Sequence, residues 1–220
     1  MSLFRPTANK NASKLCCLVA VCLGLLGLSA TSALAKSHNG VKATSAKASA
    51  ELAVCPGQTF SQPFEAFQDS NYYTSVPGSE FDGSAPGWEL NNGAEVVDGT
   101  RPDGSTGGVL NLPSGAYAVS PPVCVTLLYP TARTWVQSVA GDGSVSVGVY
   151  YAAAKHDTAK QVGQLKAETE DGWSLSDAFD VRPELGGKAE GVRDVRFILA
   201  NAEKSSVLQI SGLFVDPRMR

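Results

Sequence analysis

Ser144-Val145-Ser146-Val147-Gly148-Val149-Tyr150-Tyr151 decides the fold. Val145, Val147, Val149 and Tyr151 fall on one face, with Ser146, Gly148 and Tyr150 on the other. Period-two alternation of this kind marks a β-strand with one face packed and one facing water. Arg193–Asn201 repeats it: Val195, Phe197 and Leu199 oppose Asp194, Arg196 and Ile198. In Val207–Val215, Leu208 and Ile210 oppose Gln209 and Ser211 before the apolar run Leu213-Phe214-Val215.

The same texture extends from Cys55 to the end of the chain. Further strands are expected near Phe64–Phe67, Trp88–Leu90, Ala94–Val97, Gly108–Leu112, Ala116–Ser120, Val123–Leu127, Arg133–Val139, Val162–Ala167 and Trp173–Phe179. Turn chemistry separates them at Pro77-Gly78, Pro86-Gly87, Asn92-Gly93, Asp103-Gly104, Gly141-Asp142-Gly143 and Asp171-Gly172. Many short strands at this spacing indicate an all-β antiparallel sandwich. Residues 55–220, about 165 of them, suit one domain with one core. Only Asp177–Leu185 reads as a short helix or irregular crossover.

The N-terminal segment has a different character. Arg5, Lys10 and Lys14 precede the short apolar stretch Leu15–Leu28, and Ala33-Leu34-Ala35 is a small-x-small cleavage site. Residues 1–35 are therefore expected to be a secretory signal, removed on export, with no membrane insertion afterwards. Residues 36–54 carry no aromatic residue and few large aliphatics, so a flexible linker is expected. Cys16, Cys17 and Cys22 lie in the signal, leaving Cys55 and Cys124. An even pair in an oxidising compartment predicts one disulfide. The expected location is secreted, extracellular or cell-envelope associated.

The chain has 18 basic and 21 acidic residues. Losing three basic residues with the signal makes the mature protein more acidic still, so it lacks the electrostatic footprint of a nucleic-acid partner. Signatures of catalysis are also missing. There is no Gly-x-Ser-x-Gly elbow, no His-Glu-x-x-His, no cysteine pair at metal spacing and no glycine loop for phosphate. His156, in Lys155-His156-Asp157-Thr158, reads as a solvated loop residue. Glu168, Glu170 and Asp171 read as a solvated turn. Asp69 or Glu65 with Asp216 could hold calcium, but surface acids or turn caps are the expected reading of these carboxylates. No catalytic residue, cofactor or metal is expected.

Several motifs together carry a resemblance. They are Cys55-Pro56, Pro63-Phe64, Pro86-Gly87-Trp88-Glu89-Leu90-Asn91-Asn92-Gly93-Ala94, Leu112-Pro113-Ser114-Gly115, Ser120-Pro121-Pro122-Val123-Cys124-Val125 and Val215-Asp216-Pro217-Arg218. Residues 55–218 resemble a family of uncharacterised exported bacterial proteins with a galactose-binding-like jelly roll, the fold of many carbohydrate-binding modules. The resemblance implies a jelly-roll β-sandwich. It also implies first and last strands that lie side by side. Related jelly rolls often place paired acids just before the last apolar run. Here Ser211-Gly212 occupies those positions, which counts against an acid-based role there.

Trp88 shares a face with Leu90, and Trp173 with Leu175, so both are expected in the core or at its rim. Trp135 is flanked on its face by Arg133 and Gln137. A ring between a guanidinium and an amide suits sugar stacking with polar arms. The alternative is a rim residue stacked by Arg133. Alternation puts Tyr150, with Ser146, on the wet face of one neighbouring strand and Arg196, with Asp194, on that of another. If these strands share a sheet, Arg133, Trp135, Gln137, Tyr150 and Arg196 converge on one concave surface, with Arg133 and Arg196 able to clamp a carboxylate. The expected function is a secreted, non-catalytic module binding a carbohydrate or other cell-envelope ligand. The alternatives are a structural or protein-interaction role at the cell surface and, behind it, a carboxylate-dependent glycoside hydrolase.

Overall fold

A computed structural model describes residues 55–126, 130–183 and 191–216. The expected signal and linker lie outside the described residues, as do Leu127 and Pro217-Arg218. All described residues belong to one compact unit, Ala48–Arg220.

The alternating stretches form the strands. In chain order they are β1 (Thr74–Ser75), β2 (Glu89–Asn91), β3 (Glu95–Thr100), β4 (Thr106–Leu112), β5 (Tyr117–Val119), β6 (Val123–Thr126), β7 (Thr131–Ala140), β8 (Gly143–Tyr151), β9 (Lys160–Ala167), β10 (Ser174–Leu175), β11 (Phe179–Asp180), β12 (Val192–Asn201) and β13 (Val207–Asp216). Two departures from expectation have local causes. Phe64–Phe67 is not a strand: Glu65–Phe67 is a 3-10 turn, closed by Gln68 at φ 63°. The expected strand Trp173–Phe179 is split into β10 and β11, because Ser176 turns its hydroxyl to accept from the Thr134 backbone N–H.

The strands make two antiparallel sheets. The larger runs β10-β7-β13-β4-β3, with β1 added to β13 and β11 to β7. The smaller runs β2-β5-β12-β8-β9, with β6 added to β12. β1 beside β13 sets an early strand against the last one, Thr74 opposite Val215.

The core is the sum of the inward faces. Val145, Val147, Val149, Val195, Phe197 and Leu199 come from the smaller sheet. Leu110, Leu112, Val136, Leu208, Ile210, Leu213 and Val215 come from the larger. Each is 5% exposed or less. Trp88 joins them, 8% exposed, tilted on Phe81 and donating its indole N–H to the Pro77 carbonyl at 3.0 Å.

Cys55 and Cys124 form the expected disulfide, with Cα atoms 5.6 Å apart. It fastens the start of the described chain to β6. Gln58 supports it, donating from its amide to the Cys124 carbonyl at 2.8 Å.

The connection from β7 to β8 looks like a hairpin in sequence, since only Gly141-Asp142 intervene. It is an arch between the two sheets: β7 pairs with β13, β10 and β11, whereas β8 pairs with β12 and β9. Gly141 adopts φ 62°, and a Cβ there would stand 2.7 Å from the Ser205 carbonyl oxygen. The arch is thus pressed against the β12–β13 connection, where only glycine fits.

Candidate aromatic cleft on the larger sheet

Trp135 lies mid-way along β7 with its side chain on the outer face, opposite Ser211 of β13 and Leu175 of β10. It is half-buried. The Phe67 ring meets it edge-on at 4.9 Å, and Phe64 lies 6.3 Å away. Phe64 also packs edge-on against Tyr73 and Phe214, at 5.0 and 5.3 Å. The outcome is an aromatic cluster that is buried at Phe64 and open at Phe67, which is 53% exposed.

A cavity of about 260 Å³ opens over Trp135. Trp135, Ser211, Gly212 and Phe214 line it from the sheet. Glu80, Arg101, Pro102 and Asp103 line it from two loops. Glycines let those loops come close. A Cβ on Gly108 would sit 1.8 Å from the Phe81 carbonyl oxygen, and one on Gly107 would sit 2.4 Å from the Arg101 guanidinium carbon. Gly212, at φ 67°, occupies the bulge where the register slips between Ser211 and Leu213, and Phe214 lies against it. The Ser211-Gly212 departure therefore shapes the cleft floor.

The face is also curved. β10 and β3 end the path of the larger sheet, and across a flat sheet they would stand ~19 Å apart at ~4.8 Å per strand. Yet Trp173, just before β10, donates its indole N–H to the carbonyl of Thr100, the last residue of β3, at 2.7 Å. Trp173 shares the outer face with Leu175, so this bond draws the two edges together over that face and makes it concave.

The polar arms expected beside Trp135 are committed within the protein. Arg133 donates to the Asp69 carboxylate at 2.8 Å and to the Ser176 carbonyl at 2.9 Å. Its guanidinium lies over Phe64, 5.5 Å from the ring centroid, rather than over Trp135. Burial works to raise the Asp69 pKa, but hydrogen bonds from Tyr73 and Arg133 outweigh it and hold this carboxyl below its usual range. Burial, and then the neighbouring Asp69 carboxylate, pushes the Tyr73 phenol up. Gln137 donates to the Gln209 side chain at 2.7 Å, and Gln209 donates to Asn111 at 3.4 Å. An amide row thus extends from Trp135 across three strands.

Tyr150 and Arg196 do not join this surface. Both lie on the smaller sheet, directly opposite each other in register. The expectation of one convergent set is corrected: alternation assigns a face, but the β7–β8 arch puts the strands in different sheets. Tyr150 is 1% exposed and offers no stacking surface. His156 packs edge-on against it at 5.2 Å, and Ala159 approaches Gly148, so the segment after β8 covers the face expected to be wet. Burial pushes the Tyr150 phenol up, and its buried hydroxyl makes no hydrogen bond of good geometry. Arg196 donates to Glu89 at 2.9 Å, and His156 lies 3.9 Å from the same carboxylate.

Elsewhere, a hollow of about 630 Å³ lies between β9 and the β10–β11 segment. Another of about 790 Å³ lies between β1, β6 and the Pro56–Thr59 stretch. Both exceed the Trp135 cleft in volume, but neither presents an exposed ring. Among the described residues no group of three or more His, Cys, Asp or Glu comes together as a metal site. No helix among them is long and apolar enough to cross a membrane. Asp69, weighed above as a calcium ligand, is instead the partner of Arg133 and Tyr73.

No family model matches the chain. No curated protein matches it. Solved structures that resemble it include carbohydrate-binding modules and a family 43 glycoside hydrolase, an arabinoxylan arabinofuranohydrolase from Bacillus subtilis. The C-terminal family 6 module of a marine laminarinase from Zobellia galactanivorans has 15% identity and a TM-score of 0.36, covering 58% of this chain and 90% of that one. A family 61 module in complex with β-1,4-galactotriose has 14% identity and a TM-score of 0.42, covering 67% and 99%. The family 22 xylan-binding domain of Paenibacillus barcinonensis Xyn10C has 11% identity and a TM-score of 0.43, covering 65% and 93%.

Proposed function

We propose that this protein is an exported, non-catalytic carbohydrate-binding module, and that Trp135 is its stacking platform. The observation that carries this reading is the cleft itself: a half-buried indole beneath a cavity on a concave sheet face, with the exposed Phe67 ring edge-on beside it. Sugar rings present apolar C–H faces that pack on aromatic rings, while their hydroxyls need polar partners around the rim. Ser211 and the Gln137–Gln209–Asn111 row supply such groups. Arg133 acts as a positioning residue, anchoring the segment that carries Phe67 through Asp69. Tyr150 and Arg196 stabilise the opposite sheet. Residues 1–35 are the signal that directs export, and residues 36–54 link the domain to the mature N-terminus near Lys36.

The experiment is a titration of a panel of plant, algal and bacterial-envelope polysaccharides by affinity electrophoresis, with wild type and Trp135→Ala. Retardation of wild type by at least one glycan, lost in the variant while its circular dichroism stays native, supports the reading. Equal retardation of both proteins removes Trp135 from the site. Hydrolysis of any glycan would contradict the non-catalytic assignment.

A further inference from the structure

The cleft over Trp135 carries a charge pattern that stacking alone does not require. Two carboxylates, Glu80 and Asp103, line its loop side with a single cation, Arg101. That cation is held by three partners through its Nε and Nη2. Its guanidinium donates to the carbonyls of Glu80 at 2.9 Å and Gly108 at 3.4 Å, and it pairs with Asp82. Arg133, the cation nearest along β7, is held by Asp69 and the Ser176 carbonyl. The hydroxyl and backbone N–H of Ser105 both donate to one Asp103 oxygen, at 2.7 and 2.9 Å, and hold this carboxyl below its usual pKa. Glu80 is exposed. A ligand entering the cleft therefore meets an aromatic floor, a hydroxyl and two carboxylates, while the one guanidinium in the lining already pairs with a third carboxylate, Asp82.

We propose that the ligand of this cleft is an uncharged glycan and that Glu80 and Asp103 are specificity-determining residues that turn away glycans bearing uronate groups. This rests on the cleft being a glycan site. Sugar hydroxyls donate readily to carboxylates, and such charge-assisted bonds are stronger than neutral ones. A uronate brings its own carboxylate within the Debye length, ~10 Å at 0.1 M salt, of two like charges. It would need a guanidinium for bidentate pairing, and the charges of both nearby guanidinium groups are already balanced by Asp82 and Asp69. The clamp expected from Arg133 and Arg196 is unavailable, since the two lie on different sheets and each already holds a carboxylate.

The test uses matched probes: glucose, galactose and xylose oligosaccharides, with each hexose oligomer paired to the same oligomer oxidised at C6 to the uronate. Binding to the full mature protein is measured by titration calorimetry at low and high salt. The inference expects each binding hexose oligomer to lose about tenfold in affinity or more on oxidation at low salt, through like-charge repulsion. The gap should narrow at high salt. The double variant Glu80→Gln/Asp103→Asn should close most of it, with the neutral form bound more weakly than by wild type because two charge-assisted acceptors are lost. Uronate binding as tight as neutral binding overturns the inference and leaves the glycan reading intact. So does a gap unchanged in the double variant. If no oligosaccharide of either kind binds wild type, the glycan reading fails and the inference fails with it.

Discussion

Arg133 and Trp135 stand two residues apart on one strand face, yet their roles separate cleanly. The Arg133–Asp69 pair is mostly buried, with side-chain exposures of 17% and 12%. Removing one partner of such a pair leaves the other charge unsatisfied, so Arg133→Ala should cost about 3 kcal/mol in chemical denaturation. Trp135 is half-buried against Phe64 and Phe67, so Trp135→Ala should cost less, about 1–2 kcal/mol, below the 3–5 of a full core deletion. Glycan affinity should reverse the order, falling more for Trp135→Ala. The pair also sets an acid limit. The folded pKa of Asp69 lies below its unfolded value of ~3.9, so its stabilisation is complete above that value and lost as pH falls through the folded one. Melting temperature should therefore drop more steeply below about pH 4 in wild type than in Asp69→Asn. The shared face of Arg133, Trp135 and Gln137 was legible in the alternation of one strand. The partners of Arg133 were not, because Asp69 is 64 positions away and lies just past a turn that reads as a strand.

Most elements were legible because alternation and turn residues are local signals. β7, β8, β12 and β13 fall within a residue or two of where periodicity puts them. The pairing between them was not, since a Gly-Asp-Gly connection is compatible with a hairpin or an arch, and only the distant Ser205 backbone decides between them. The glycines at the start of β4 were equally silent. Their purpose appears only once Phe81 and Arg101 are seen crossing the strand. Gly108→Ala should therefore destabilise by about 2–3 kcal/mol, as overpacking does, and should weaken glycan binding by displacing the loop wall of the cleft. The disulfide was legible once Cys16, Cys17 and Cys22 were assigned to the signal, which leaves one pair. It closes a loop of 69 positions, so reduction should cost about 4 kcal/mol in the chain-entropy account. Comparison of melts with and without reductant checks this, and an unchanged melt would show that the bridge contributes nothing.

At the scale of the whole molecule, two sheets leave two outer faces, and the structure treats them differently. The smaller sheet has its Tyr150 region covered by the segment after β8. The larger is drawn into a concave face by the Trp173–Thr100 bond and keeps an open ring at its centre. The sandwich was legible in the alternation, whereas the separation of its two outer faces was not. The three indoles separate the possibilities directly. Those of Trp88 and Trp173 donate to the Pro77 and Thr100 carbonyls, whereas Trp135 borders the cavity. In a titration of 15N-labelled protein with a retained oligosaccharide, followed by NMR, the account predicts saturable movement of one indole N–H resonance, the one missing from Trp135→Phe, with that of Trp88 unmoved. Saturable binding that leaves the Trp135 indole in place would contradict the claim that the Trp135 cleft is the site.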